Sequence, residues 1–378
     1  MSAASGLIAA VVILSAIVPL RIRYYWKILL SLPVLAAAFK FKVLHLLGGP
    51  NYFAPTLPGW VIIGFACLYA VVLFHFILLS LFEIVHWTVW CVLYFRKKLP
   101  GRTVQRTLCN RIRLGLLGGA VILAAFGLYN GLKMPAVKEQ RVVIPGLPAE
   151  AEGLRVAFLA DIHVDSYTRA PRIRALTETV NALTPDLILL GGDYVDGSVE
   201  RCGEDVAPLK ELNAKYGVYA VAGNHEYFSG YGEWIPFLRS LGMRMLLNEG
   251  EQLPCGIYLA GVTDPAAKRR NMEEPSVEKA LTGHDGKSPV LLVSHQPRIA
   301  PDAAKHGVAM QVSGHTHGGM IYGLDFLVKK FNGGFVDGWY DVDGMQLYVM
   351  NGTGIWNGFP VRFGHDPEIT LFTFTCGK

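Results

Sequence analysis

The sequence predicts an α/β domain over residues 139–378, preceded by an α-helical transmembrane region over residues 1–135. Three observations carry that expectation. The 378-residue chain is 52% hydrophobic and 17% charged, with mean hydropathy +0.33, and the apolarity is concentrated before residue 135. Beyond that point, short β-branched runs alternate with helix-like stretches, as in layered α/β domains. The runs end on Asp, Asn or His, where such folds place their ligands.

The membrane region comes first. A spanning helix needs about 20 mostly apolar residues, and four segments offer them: 6–20, 26–48, 60–95 and 114–132. The first lacks a basic leading region, which favours a retained helix over a cleaved signal peptide. Lys40 and Lys42 interrupt the second and are expected to snorkel. The third is longer than one crossing requires. Its later part, with Glu83, His86, Trp87, Trp90 and Tyr94, reads as a partly solvated helix end. Arg21, Arg23 and Lys27 mark one loop as cytoplasmic. Arg96, Lys97, Lys98, Arg102, Arg106, Arg111 and Arg113, with no acidic residue among them, mark another. The uncharged loop 49–59 belongs on the far side. These assignments agree on four crossings, an outer N-terminus and an outer C-terminal domain. The expected location is the cell (inner) membrane, multi-pass, with that domain extracytoplasmic. The net charge of +5 is thereby explained by topology, and no nucleic-acid partner is expected. Six cysteines form no C-x-x-C pair, which argues against a thiolate zinc site or a redox motif.

In the second half, runs at 154–160, 187–190, 218–221, 257–260, 290–293, 309–312 and 347–350 suit buried strands. Helices are expected at 172–183, 233–241 and 276–281. Shorter connections toward the C-terminus predict mixed or antiparallel pairing there.

Five of these runs lead into polar motifs: Asp161-Ile162-His163, Gly192-Asp193, Gly223-Asn224-His225-Glu226, Ser294-His295 and Gly314-His315-Thr316-His317. In extended chain, residues two apart share a side, so Asp161 and His163 can meet one ion, with His315 and His317 similarly paired. Imidazole mixed with carboxylate suits Mn, Fe or Zn better than Ca or Mg. Asp193 has two oxygens and can bridge a pair of ions. Gly192, Gly223 and Gly314 precede ligands and permit close approach. Each motif is short; the ordered set at strand ends is what carries weight. Asp165, Tyr194, Glu226 and Tyr227 are expected to line the site, with Glu226 orienting a histidine. Arg362 reads as an exposed basic residue, and Asp196, Asp264 and Asp285 as turn residues.

From residue 154 to the C-terminus this ordered set resembles the calcineurin-like metallophosphoesterase superfamily. With the apolar N-terminal half, the chain is most similar to the bacterial transmembrane YkuE/YaeI-like group. The resemblance implies a four-layer α/β/β/α fold with two central mixed sheets. It assigns Asp161, His163 and His317 to one metal ion, Asn224, His295 and His315 to a second, and Asp193 to the bridge. The cofactors implied are two divalent or trivalent ions, and His225 would contact the phosphate and assist the leaving group. Met320 stands where the group frequently has glutamine. A hydroxide shared by the ions would attack phosphorus in line.

The expected function is a membrane-anchored phosphodiesterase, pyrophosphatase or phosphatase whose partners are the bilayer and a phosphorylated small-molecule or lipid substrate. A lipid-linked or glycolipid phosphate, such as a UDP-diacylglucosamine-like compound, is the specific expectation. Alternatives are a broad phosphodiesterase for nucleotides or wall polymers, and a non-catalytic membrane scaffold or transport protein. Against the last stand the complete set of seven ligands and the few charges in the spans.

Overall fold

In the computed structural model, which describes residues 2–48, 57–99 and 101–377, the chain divides into two units. One comprises residues 1–129 with 358–361, the other 130–357 with 362–378.

The first unit is helical. Helix α1 (Ser2–Val12) runs into a π-helical stretch at Ile13–Ile17, and α2 (Tyr24–Ala38), α3 (Lys40–Gly48), α4 (Gly59–Phe95) and α5 (Arg102–Leu132) follow. Among the described residues, α4 and the 103–132 part of α5 are long and apolar enough to cross a membrane. Helices α2 and α3 meet that test only as a pair, bent by 82°. The continuous segment expected at 26–48 is therefore broken at Phe39. Lys40, just past the break, does not snorkel: it is 1% exposed, donates to the Gly358 carbonyl and lies 4.5 Å over the Tyr69 ring. A buried ammonium requires such an acceptor and π face. Lys42 is exposed. Glu83 of α4 is no free helix end but accepts from Arg113 of α5, with Nη2 at 2.6 Å and Nε at 3.0 Å. The expected uncharged loop lies, over 49–56, outside the described residues. Cys67, Cys91, Cys109, Cys202 and Cys255 are free thiols.

The second unit contains twelve strands: β1 (Ala136–Val143), β2 (Arg155–Leu159), β3 (Leu187–Leu190), β4 (Val218–Ala220), β5 (Arg244–Met245), β6 (Glu249–Gln252), β7 (Tyr258–Gly261), β8 (Val290–Val293), β9 (Met310–Ser313), β10 (Gly338–Val342), β11 (Met345–Val349) and β12 (Glu368–Thr375). They form two six-stranded sheets, ordered β1-β12-β2-β3-β4-β5 and β10-β11-β9-β8-β7-β6. Both are mixed: β12 is antiparallel to β2, while β6 and β10 are antiparallel edge strands. The later runs at β7, β8, β9 and β11 nevertheless pair in parallel.

The helices of this unit are α6 (Ala170–Ala182), α7 (Val199–Val206), α8 (Asn224–Ser229), α9 (Tyr231–Ser240), α10 (Val277–Ala280), α11 (Ala300–Lys305) and α12 (Asp325–Phe331). The pleat sorts side chains into layers. Val156 and Phe158 of β2 meet Leu291 and Val293 of β8 between the sheets. Ala157 and Leu159 turn the other way, toward Ile173 and Leu176 of α6 and Trp234 of α9. On the far side of the second sheet, Leu292 and Leu347 pack on Val277 of α10 and Ala300 and Ala303 of α11. The result is the α/β/β/α stack. Strands β2, β3 and β4 run parallel, as do β8 and β9, so each sheet gathers the carboxyl ends of its ligand-bearing strands along one edge.

Candidate metal centre

The turn after β2 carries Asp161 and His163, and the turn after β3 carries Asp193. Helix α8 opens with Asn224 and His225. His295 follows β8, and His315 and His317 follow β9. Together these turns bring all eight residues into one cluster. Asp161, His163 and His317 form one group whose possible ligand atoms lie within 4.8 Å of one another; Asp193, His295 and His315 form another. His163 Nε2 faces His317 Nε2 at 3.0 Å, and His317 Nε2 is 3.7 Å from an Asp161 oxygen. In the second group, His295 Nε2 lies 3.2 Å from both Asn224 Oδ1 and His315 Nδ1. The groups meet at Asp193, whose Oδ2 is 3.1 Å from His295 Nε2 and 4.0 Å from His163 Nε2. Imidazole nitrogens and carboxylate oxygens converging this closely suit metal cations of intermediate softness.

The backbone reaches this arrangement through strain rather than pleat. Asp161, His163, Asp193, His315 and His317 all have positive φ, between 50° and 72°. That region is costly for residues with a Cβ and collects at functional sites. The expectation that extended chain puts residues two apart on one ion is corrected accordingly. Left-handed turns aim Asp161 and His163 together, whereas His315 and His317 part to different groups. The flanking glycines allow the turns to touch. A Cβ on Gly223 would lie 2.2 Å from Asp193 Oδ1, and one on Gly314 would lie 2.4 Å from Asp161 Oδ2.

Second carboxylates fix the first set. Asp196 is no mere turn residue: its Oδ1 receives His163 Nδ1 at 3.1 Å and His225 Nδ1 at 2.5 Å. A carboxylate only accepts, so Nδ1 is the protonated atom of His163 and Nε2 presents its lone pair. The Gly191 carbonyl does the same for His295, receiving Nδ1–H at 2.8 Å. Glu226 orients backbone rather than a histidine, accepting the amides of Asp193, Tyr194 and Gly223. Asp165 accepts the Tyr167 and Thr168 amides in a turn of its own. Tyr194 is fully buried, its hydroxyl donating to the Leu190 or Val221 carbonyl. Arg362, expected on the surface, is 1% exposed. It donates to the carbonyls of His317 and Gly354, and its Nη2 lies 2.6 Å from His317 Nδ1. Asp264 caps the turn at Ala266 and receives Gln296 Nε2, and Asp285 accepts the amides of Lys287 and Ser288, so both are structural.

Burial and charge oppose each other throughout. Burial pushes the Asp193 carboxyl up, but His295 and His225 outweigh it and hold the group well below the usual carboxylate range. Burial lowers His225, yet Asp193 and Asp196 overcome it and raise the imidazole to about 9. Glu226, buried beside Asp193, rises to about 8. Burial lowers the Arg362 guanidinium to about 10.

Comparison with known proteins identifies the family. Residues 154–319 match the family described as calcineurin-like phosphoesterase. An uncharacterized metallophosphoesterase of Helicobacter pylori J99 is 36% identical over 275 residues, 72% of this chain and 72% of the relative. A transmembrane protein with metallophosphoesterase domain from Danio rerio is 30% identical over 334 residues, 84% of this chain and 75% of the relative. The uncharacterized metallophosphoesterase YkuE of Bacillus subtilis is 28% identical over 291 residues, 73% of this chain and 98% of the relative.

Proposed function

The chain belongs to the calcineurin-like metallophosphoesterase family, and from that premise we propose that it is a membrane-anchored hydrolase of lipid-borne phosphate esters with a dinuclear centre. The observation that carries the dinuclear reading is Asp193 Oδ2, set between His295 on one side and His163 on the other. Asp161, His163 and His317 would hold one ion and Asn224, His295 and His315 a second, with Asp193 placed to serve both. Mn, Fe or Zn bound by these residues would lower the pKa of water toward neutrality and offset negative charge on the phosphate. His225 sits with Nε2 3.9 Å from Asp193 Oδ2 and steadies a phosphate oxygen or delivers a proton to the leaving oxygen. Asp196 holds that ring by its Nδ1.

The membrane helices supply the argument for substrate. Only residues 133–135 separate α5 from β1, so the phosphoesterase domain begins where a spanning helix ends. Esters carried in the bilayer are then always within reach, glycolipid phosphates of the UDP-diacylglucosamine type among them. Stripping the purified protein with EDTA is expected to abolish hydrolysis of bis-p-nitrophenyl phosphate, and Mn to restore it. Lipid pyrophosphates and phospholipids are expected to turn over faster than cyclic nucleotides in the same assay. Undiminished activity after stripping rejects the metal reading, and turnover confined to cyclic nucleotides rejects the lipid reading.

Orientation follows from the basic loops around Arg21–Lys27 and Arg96–Arg113. Counting the short N-terminal helix and the bent α2–α3 pair as spans alongside α4 and α5 gives four crossings and puts the catalytic domain outside the cytoplasm. A phosphatase reporter fused after residue 135 is expected to be active; an inactive fusion places the domain in the cytoplasm, beside nucleotide-linked substrates.

A further inference from the structure

Helix α12 does not behave like the other helices of its unit. It is seven residues long and none of them is buried, although the sequence DFLVKKF is rich in apolar side chains. Phe326 is 61% exposed, Leu327 46% and Phe331 77%, and Tyr322 just ahead of the helix is 63% exposed. At about 100° per residue, Phe326, Leu327, Lys330 and Phe331 fall within an arc of about 140°. Lys329 and Lys330 are both exposed. Aromatic and aliphatic side chains interleaved with lysines match a bilayer interface, where rings settle at headgroup depth and ammonium groups meet anionic lipid.

The segment is tied at both ends to the turn that carries His315 and His317. At its start, a Cβ on Gly319 would lie 2.5 Å from Asp325 Cα, leaving no gap between helix and turn. At its end, Thr316 Oγ1 donates to the Val336 carbonyl at 2.5 Å. Backbone bonds from Tyr322 to Phe363 (3.0 Å) and from Phe363 to Met320 (2.8 Å) brace the entry, and the Tyr322 ring packs 4.4 Å from that of His365. The apolar tip is thus carried on a fixed base beside the metal ligands.

We propose that Tyr322, Phe326, Leu327 and Phe331, with Lys329 and Lys330, dock on an anionic lipid surface and present the metal centre to esters at the headgroup level. This deepens the lipid-borne substrate reading and rests on it for its catalytic consequence, but the docking itself has its own readout. The occupant is a bilayer because the same chain carries membrane-spanning helices and because the lysines complement anionic headgroups.

The full chain in nanodiscs tests it by hydrogen–deuterium exchange across residues 321–335. Protection is expected in phosphatidylglycerol-containing discs, less in phosphatidylcholine discs, and none in detergent. The Phe326→Ser/Phe331→Ser variant is expected to lose that protection. It should hydrolyse bis-p-nitrophenyl phosphate at the parent rate while cleaving a bilayer-embedded phosphate ester about tenfold more slowly. Lys329→Ala/Lys330→Ala is expected to erase the preference for anionic discs, with each lysine contributing about fivefold. Equal exchange in detergent and in every disc overturns the proposal. So does protection in detergent that grows with protein concentration, which identifies a second copy as the occupant. If the parent cleaves the soluble ester but no lipid ester, the substrate reading fails while the exchange data still decide the docking.

Discussion

Asp193→Asn is expected to reduce Mn-dependent hydrolysis of bis-p-nitrophenyl phosphate by about a thousandfold or more, a loss of roughly 4 kcal/mol of transition-state stabilisation. The reason lies in the two jobs of one carboxylate. Its Oδ2 stands between His295 and His163, and its Oδ1 accepts the His225 amide at 2.7 Å. Asparagine preserves the shape and that amide contact but replaces an anionic oxygen with a neutral one. On the proposed bridging role, the charge that would hold two cations a short distance apart is then gone. Metal content by plasma mass spectrometry should fall from two ions per chain toward one. Membrane insertion and the far-ultraviolet spectrum should stay unchanged, because the substitution touches no core contact. Full activity with two ions retained would reject both the bridge and the ligand assignment.

Much of this site is legible in the sequence because strands of layered α/β folds are short, apolar and terminated sharply. The runs at 187–190 and 290–293 coincide with β3 and β8, and the candidate ligands Asp193 and His295 follow them. Less visible are elements whose stability comes from distant partners. No strand is expected at 136–143 or 368–375, yet β1 and β12 pair along eight residues. β1 carries Lys138, Glu139, Gln140 and Arg141 because it is an edge strand, and such a run reads locally as a linker. The backbone of the candidate ligands is hidden for a different reason. Positive φ at Asp161, His163, Asp193, His315 and His317 is enforced by neighbouring turns, and nothing in the intrinsic preference of Asp or His announces it.

Arg362 shows the same limit among side chains. Its sequence neighbours suggest a surface loop, and only the fold brings it to the carbonyl of a residue 45 positions earlier. The break at Phe39 belongs with it. Lys40 looks like a snorkelling residue until the partner carbonyl of Gly358, 318 positions away, is in place. In each case a buried charge is stabilised by a contact of high sequence separation, which no local pattern encodes.

Asp196→Asn is the sharper probe of how the site is held, because Asp196 touches two histidines of different standing with one oxygen. That oxygen receives Nδ1 of both His163 and His225, and the group is buried at 3% exposure. Burial raises its carboxyl, but His163 and His225 prevail and keep it below the ordinary value, so the charge is present when the histidines need it. An asparagine oxygen can still accept, but without the charge that favours a protonated His225. Loss of a carboxylate that orients metal-binding histidines costs about 10- to 100-fold in activity or affinity, and a loss in that range is expected here. Its signature is the pH profile. Where His225 acts as a proton donor, activity requires the protonated ring and disappears as pH rises through its pKa. Removing Asp196 removes one of the carboxylates that raise that pKa, so the alkaline limb of kcat should move to lower pH. A leaving group that needs no proton, such as p-nitrophenolate, should be affected less than an alkoxide. An equal fall for both leaving groups with an unmoved alkaline limb would confine Asp196 to holding His163, and would take the proton away from His225.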